Sequence, residues 1–233
     1  MDSDARIRRK LRKRESIWIS STSGQPQGDD MNERQIGELA FWQRDYAKYE
    51  GQDYARIRAG LFNTMLVEFP ELRTLTGRGL DVGCGPTSVF EYSGLDMVAI
   101  DPLMEEYQKM YTPDISTVDY VLGHEDDGVL HFPDNEFDYI ICRNVIDHTS
   151  AYMKLLYEMK RTLKPGGTLL FYVNFDKKLQ PPEHFRLWRY SDIEYLMTGD
   201  MSVGFHMLRG TIVWQQEYER YVFWGVFANT MKC

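Results

Sequence analysis

Leu80-Asp81-Val82-Gly83-Cys84-Gly85-Pro86-Thr87-Ser88 joins a short apolar run to a glycine turn. Gly79 to Val82 reads as a strand, and Pro86 to Tyr92 as the start of a helix. Gly83 and Gly85 let backbone approach a ligand closely, and a helix start presents free N–H groups to it. Asp101 stands 20 residues after Asp81, at the end of the next strand candidate, Met97 to Ile100. A carboxylate at that point can accept both hydroxyls of a ribose. The pair predicts a nucleoside site where a parallel sheet reverses its strand order.

The pattern continues outward on both sides. Leu103 to Met110, Ala151 to Leu163 and Ser191 to Met197 have helical spacing. Val118 to Leu122, Phe137 to Cys142 and Thr168 to Val173 read as strands, and Phe205 to Val213 and Tyr221 to Phe227 as two more. Strands alternating with helices imply βαβ units and a mainly parallel sheet. The last two strands have no helix between them, which predicts an antiparallel hairpin at one edge. Upstream, Leu39, Trp42, Tyr46 and Tyr49, and then Ile57, Leu61, Met65 and Phe69, recur at helical steps, so residues 33–70 read as two cap helices. The expected architecture is α/β, Rossmann-like and doubly wound, with a seven-stranded sheet in residues 33–233.

The chain has 233 residues, 27.4 kDa and a formal net charge of -8. Its charge is uneven: the first 14 residues carry +5, which leaves -13 on the rest. An acidic body argues against a phosphate-backbone partner, so no nucleic acid is expected. Residues 1–32 read as a basic, flexible arm and linker, for which a solvated tail comes first and a peripheral membrane contact second. No apolar run approaches the ~18 residues of a membrane span. Cys84, Cys142 and Cys233 are too scattered for a disulfide framework or a zinc site, so no metal is expected and a cytoplasmic setting is.

A dinucleotide fingerprint wants a third glycine where Ser88 stands, which disfavours a pyrophosphate ligand without removing an NAD-dependent oxidoreductase from consideration. Leu80–Ser88 resembles the first motif of class I S-adenosylmethionine-dependent methyltransferases, and Asp101-Pro102 their ribose-binding acid. Three further segments resemble that family in the same order. They are Gly123-His124-Glu125-Asp126 with Phe132–Asp138, Asn144-Val145-Ile146-Asp147-His148, and Leu163-Lys164-Pro165-Gly166-Gly167-Thr168-Leu169. Residues 78–175 carry the resemblance.

The resemblance implies S-adenosylmethionine as cofactor and methyl transfer to a hydroxyl or amine of a small molecule or glycan. It places Asp81 under the loop near the methionine amino group, Gly83, Cys84 and Gly85 beneath the cofactor, and Asp101 with Pro102 at the ribose. His124, Glu125 and Asp126 fall at the adenine, and Arg143 and Asn144 near the methionine part. No Asn-Pro-Pro-Tyr type of signature for nucleic-acid bases is present. A hydroxyl acceptor needs a base, for which His148 is the first candidate and His184 the second. Asp147 is expected either to pair with His148 or to cap the helix near Ser150. Trp42, Tyr46, Tyr49 and Arg58 read either as packing or as a lid whose Arg binds the methionine carboxylate. Tyr172 or Asn174 is expected to face the acceptor. A non-catalytic binding module on the same fold is the reading from another class.

Overall fold

The computed structural model describes residues 31–111, 116–175, 188–198, 203–216 and 219–230. Helix α1 (Glu33–Ala47) starts at a capping box in which Asn32 and Gln35 bond each other's backbone N–H. Helix α2 (Tyr54–Ala59) is capped by Asp53, and Gly60 separates it from α3 (Leu61–Glu68), where one continuous helix was expected. The sheet then forms from β1 (Arg78–Val82), β2 (Asp96–Asp101), β3 (Asp119–Leu122), β4 (Phe137–Arg143) and β5 (Leu163–Phe175). Between them lie α4 (Met104–Met110) and α5 (Tyr152–Thr162), and α6 (Tyr190–Thr198) precedes β6 (His206–Gln215) and β7 (Arg220–Ala228).

Strand order is β3-β2-β1-β4-β5-β7-β6, in one seven-stranded sheet. The first five strands are parallel, and β7 runs antiparallel to both β5 and β6. The predicted Rossmann-like architecture and its edge hairpin are therefore present. β1 has β2 on one side and β4 on the other, so a crevice opens beyond the C-terminal ends of β1 and β4.

Both faces of the sheet are covered, as a parallel sheet requires. Leu80, Val82, Ile100, Ile140, Cys142 and Phe171 point to one side and meet α5 and α6 through Leu155, Met159, Ile193 and Met197. Met97, Ala99, Tyr139, Ile141, Leu170 and Tyr172 point to the other, against Met65, Phe69 and Leu72. With the strand period of two, this alternation places Asp81, Asp101 and Arg143 on the second face.

The predicted helix from Pro86 to Tyr92 is absent. Residues 86–93 form turns. Ser88 N–H donates to Tyr120 Oη at 2.9 Å and Phe90 N–H to Ser88 Oγ at 3.1 Å, so side chains take N–H groups that a helix would direct along its axis. Tyr92 closes the segment at φ 61°. Buried Glu91 holds it from below, accepting from Ser116 Oγ at 2.5 Å, Thr117 N–H at 2.8 Å and Tyr120 Oη at 3.0 Å.

Gly79 lies inside β1, where a Cβ would stand 2.1 Å from Tyr139 Cε2 and 2.5 Å from Met97 Sδ. Gly79→Ala should therefore cost about 1–3 kcal/mol through overpacking. Urea denaturation measures this, and an unchanged midpoint would contradict the close approach.

Candidate cofactor site and acceptor-side histidine

Asp81, next to last in β1, is a carboxylate only 4% exposed. Its Oδ2 accepts from Ser88 Oγ at 2.6 Å. Burial raises its pKa to about 6, against the opposing pull of Ser88, Arg143 and Arg58. Gly83 follows at φ 65°, and a Cβ there would lie 2.5 Å from Val145. Only glycine suits both the left-handed backbone and the close crossing of the β4 loop. Cys84 is buried in this turn, as a small residue should be.

Asp101 closes β2 and binds the same loop. Its Oδ2 accepts Gly85 N–H and its Oδ1 accepts Leu103 N–H, both at 2.9 Å. Burial pushes its pKa up to about 7, outweighing those two N–H donors, and Glu38 and Asp126 add repulsion. Each ionised carboxylate oxygen keeps a further lone pair, so a diol can still be received.

Arg58, 6% exposed, comes from α2 beneath the loop. Its Nε donates to Thr87 O and its Nη2 to Cys84 O, both at 3.1 Å. Its guanidinium carbon lies 4.3 Å from the Trp42 ring centroid. Arg58 thus braces the glycine loop through two carbonyls, and Trp42 covers it. Tyr46 and Tyr49 belong instead to an aromatic cluster with Tyr54 and Tyr111, with ring centroids 5.2–6.1 Å apart, so these two are packing. Arg143, half-buried at the end of β4, has its charge disfavoured by burial and by Arg58, with Asp81 opposing.

Beyond β4 the chain turns at Asn144, φ 57°. Asn144 Oδ1 accepts Asn174 N–H at 3.3 Å, and its Nδ2 lies 3.3 Å from His148 Nε2. His148 Nδ1 lies 3.5 Å from Glu38 Oε2. Asp147 Oδ2 is 3.9 Å from Nε2, beyond hydrogen-bond range, and α5 has Ala151 at its N-cap, with no side-chain cap hydrogen bond. Tyr172 Oη donates to Asn174 Oδ1 at 2.7 Å, and both side chains are buried.

Helix α1 forms the remaining wall. A cleft is lined by Arg34, Gln35 and Glu38 of α1 and by Gly83, Asp101, Pro102, Asp126, Asn144, Val145, His148 and Thr149. Gln35 Nε2 donates to Asp126 Oδ2 at 3.0 Å, and Arg34 pairs with the same carboxylate. Among the three residues predicted at the adenine, Asp126 therefore faces the cleft. His124 stacks edge-to-face on exposed His131, centroids 4.7 Å apart, and its charge is disfavoured by burial and by that ring. Glu125 contributes backbone to a short 3-10 turn, Glu125–Asp127. His184 and the Pro181-Pro182 stretch lie outside the described residues, as does the basic arm up to residue 30.

The reading of the sequence missed Arg34, Gln35 and Glu38. Their signal was a polar face on α1, in which Glu38 and Trp42 are four residues apart and their side chains meet at 2.7 Å. Asp81, Gly85, Cys84 and Arg143 stand behind the cleft wall and shape it.

The structure shows groups that suit S-adenosylmethionine. Two buried carboxylates with raised pKa values, Asp81 near Arg58 and Arg143 and Asp101 near Glu38 and Asp126, lie around a glycine turn that a side chain would fill. Among the described residues no cluster of ligands suits a metal ion.

Comparison with known proteins agrees. The family described as "Methyltransferase domain" matches residues 49–200. Phosphoethanolamine N-methyltransferase 2 of Caenorhabditis elegans is 30% identical over 107 residues, 44% of this chain and 24% of that one. Demethylmenaquinone methyltransferase of Listeria welshimeri is 39% identical over 62 residues, 27% of this chain and 25% of that one. The match thus spans about a quarter of the length of these relatives. Among solved structures, Haemonchus contortus phosphoethanolamine N-methyltransferase 2 in complex with S-adenosylmethionine superposes with TM-score 0.55 at 17% identity, over 72% of this chain and 53% of that one. With a domain match over more than half its length, the chain belongs to the methyltransferase-domain family, on the class I Rossmann-like fold of S-adenosylmethionine-dependent methyltransferases.

Proposed function

We propose that this protein transfers a methyl group from S-adenosylmethionine to a hydroxyl or amine of a small molecule, sugar hydroxyls included, with His148 as general base. The observation that carries this reading is that Gly83, Asp101 and His148 line one cleft, at the strand-order reversal. When bound, S-adenosylmethionine supplies an electrophilic methyl on a sulfonium centre. The acceptors named for the two relatives, phosphoethanolamine and demethylmenaquinone, differ in chemistry, so the acceptor class here rests on this chain's own residues.

Each residue then has a defined task. Asp101 receives the ribose hydroxyls, and Asp126 receives the adenine amino group once Arg34 and Gln35 release it. Asp81 and Arg143, behind the cleft wall, set the charge felt by the ammonium and carboxylate of the methionine part. Arg58 keeps the glycine loop in the shape that allows this. His148 takes the acceptor proton, so that the oxygen or nitrogen becomes a stronger nucleophile as it approaches. Holding both partners about 3 Å apart in a cleft closed by α1 does the rest of the work.

Calorimetric titration with S-adenosylhomocysteine, with NADH as control, tests the cofactor. Micromolar binding of the first and none of the second is expected, and the reverse would sink the reading. Asp101→Ala should weaken that binding by about 1.5–3 kcal/mol, through loss of charge-assisted hydrogen bonds.

Because the Asp101 pKa is raised to about 7, its carboxylate gains a proton as pH falls through that value. It then offers fewer acceptor sites, so affinity should drop below pH 7 by up to about tenfold per unit. Titrations of the wild-type protein and Asp101→Asn across this range check the sign. A profile that persists in the variant would assign the effect elsewhere.

His148→Ala should lower kcat by about a hundredfold or more, with the affinity for S-adenosylhomocysteine within about twofold. Transfer of labelled methyl to a panel of hydroxyl and amine acceptors measures it. Near-normal turnover would remove His148 from this role.

A further inference from the structure

The groups that face the two ring nitrogens of His148 determine which of them carries the proton. Backbone N–H of Asn174 donates to Asn144 Oδ1 at 3.3 Å, which fixes the orientation of that amide. The Asn144 NH2 group therefore faces His148 Nε2, at 3.3 Å. An NH2 group only donates, so Nε2 is the unprotonated nitrogen. On the other side of the ring, Glu38 Oε2 stands 3.5 Å from Nδ1, near enough for charge attraction though without a hydrogen bond between them in this structure. A carboxylate only accepts, so the proton belongs on Nδ1. Both sides of the ring, read independently, give the same tautomer.

Glu38 is itself held. Trp42 Nε1 donates to Glu38 Oε1 at 2.7 Å, one turn along α1. The Trp42 ring lies over the Arg58 guanidinium, which bonds the carbonyls of Cys84 and Thr87 in the glycine loop. A continuous set of contacts thus runs from the loop through Arg58, Trp42 and Glu38 to His148. The other carboxylate facing the ring is Asp147, on the same loop, 3.9 Å from Nε2. It is too distant to compete for the tautomer in this arrangement.

We propose that Glu38 is the positioning residue of His148, fixing the proton on Nδ1 and leaving Nε2 as the basic nitrogen that faces the acceptor. This rests on the reading of His148 as the base. It adds that a competent base requires α1 closed over the cleft, because Glu38 comes from that helix. Nε2 would exchange the Asn144 amide for the acceptor's hydroxyl or ammonium group as the acceptor enters.

The test is nitrogen-15 NMR of the imidazoles in the full chain at pH about 8.5, above the ordinary imidazole range. Five histidines are present, and His148→Gln identifies the signal of interest. The wild-type protein should show His148 protonated on Nδ1. In Glu38→Gln, the Trp42 N–H holds the amide oxygen and turns the NH2 group toward Nδ1, so the proton should move to Nε2. Trp42→Phe, which leaves Glu38 unheld, should give a mixture of the two forms and serves if the first variant is poorly folded. Protonation on Nε2 in the wild-type protein, or an unchanged tautomer in both variants, would overturn the proposal.

Kinetics supply the second reading. Glu38→Gln should reduce kcat tenfold or more, while the affinity for S-adenosylhomocysteine stays within about twofold. A loss of affinity at unchanged kcat would make Glu38 a cofactor ligand instead. If His148→Ala transfers methyl normally, the base assignment fails, while the NMR result still decides whether Glu38 sets the tautomer.

Discussion

Burial of the Asp81 carboxylate near the end of β1 is the constraint on which the site is built. A charge removed from water must be met by donors, and here Ser88 Oγ meets it directly, with Arg58 and Arg143 nearby. Ser88 can reach Asp81 only if the chain doubles back through Gly83 and Gly85. That return bends the segment after β1 away from a helix and hands its N–H groups to Tyr120 and Ser88. The buried carboxylate of Glu91 anchors the far side of the same turn. The ligand-facing loop is therefore held by side chains, where a helix start would have held it by backbone alone.

Electrostatics explains why the cleft faces one way. The strand period puts Asp81, Asp101 and Arg143 on the same side of the sheet, beneath the N-terminal helices. Asp81 and Asp101 are raised toward neutrality because burial outweighs their hydrogen bonds. Groups in that state gain from a ligand that brings hydroxyls or an ammonium. Burial and the nearby Arg58 disfavour the charge on Arg143. The site thus carries matched requirements of both signs within a few residues of one loop.

Helix α1 takes part in this chemistry as well as covering it. Its Leu39 packs on Leu103 and Tyr107, which seats the helix, and its polar face then reaches three different parts of the cleft. Arg34 and Gln35 hold Asp126, Glu38 contacts His148, and Trp42 lies on Arg58.

Local sequence determined a great deal of this protein. Alternation of apolar residues and the spacing of Asp81, Gly83, Gly85 and Asp101 set the parallel sheet, its edge hairpin and the position of the crevice, because strand period and glycine conformation are local properties. The same local logic failed at Pro86–Tyr92, where helical spacing lost to side-chain hydrogen bonds with Tyr120 and Ser88. Tyr120 comes from a strand 32 residues further along, so that competition lies outside any local window. Tertiary structure alone decided that Arg58 braces the loop, that Asp126 faces the cleft while His124 packs on His131, and that Glu38 meets His148. Those pairings are 26 to 110 residues apart, or turn on the direction of one ring, and only packing of α1 and α2 on the finished sheet brings them within bonding distance.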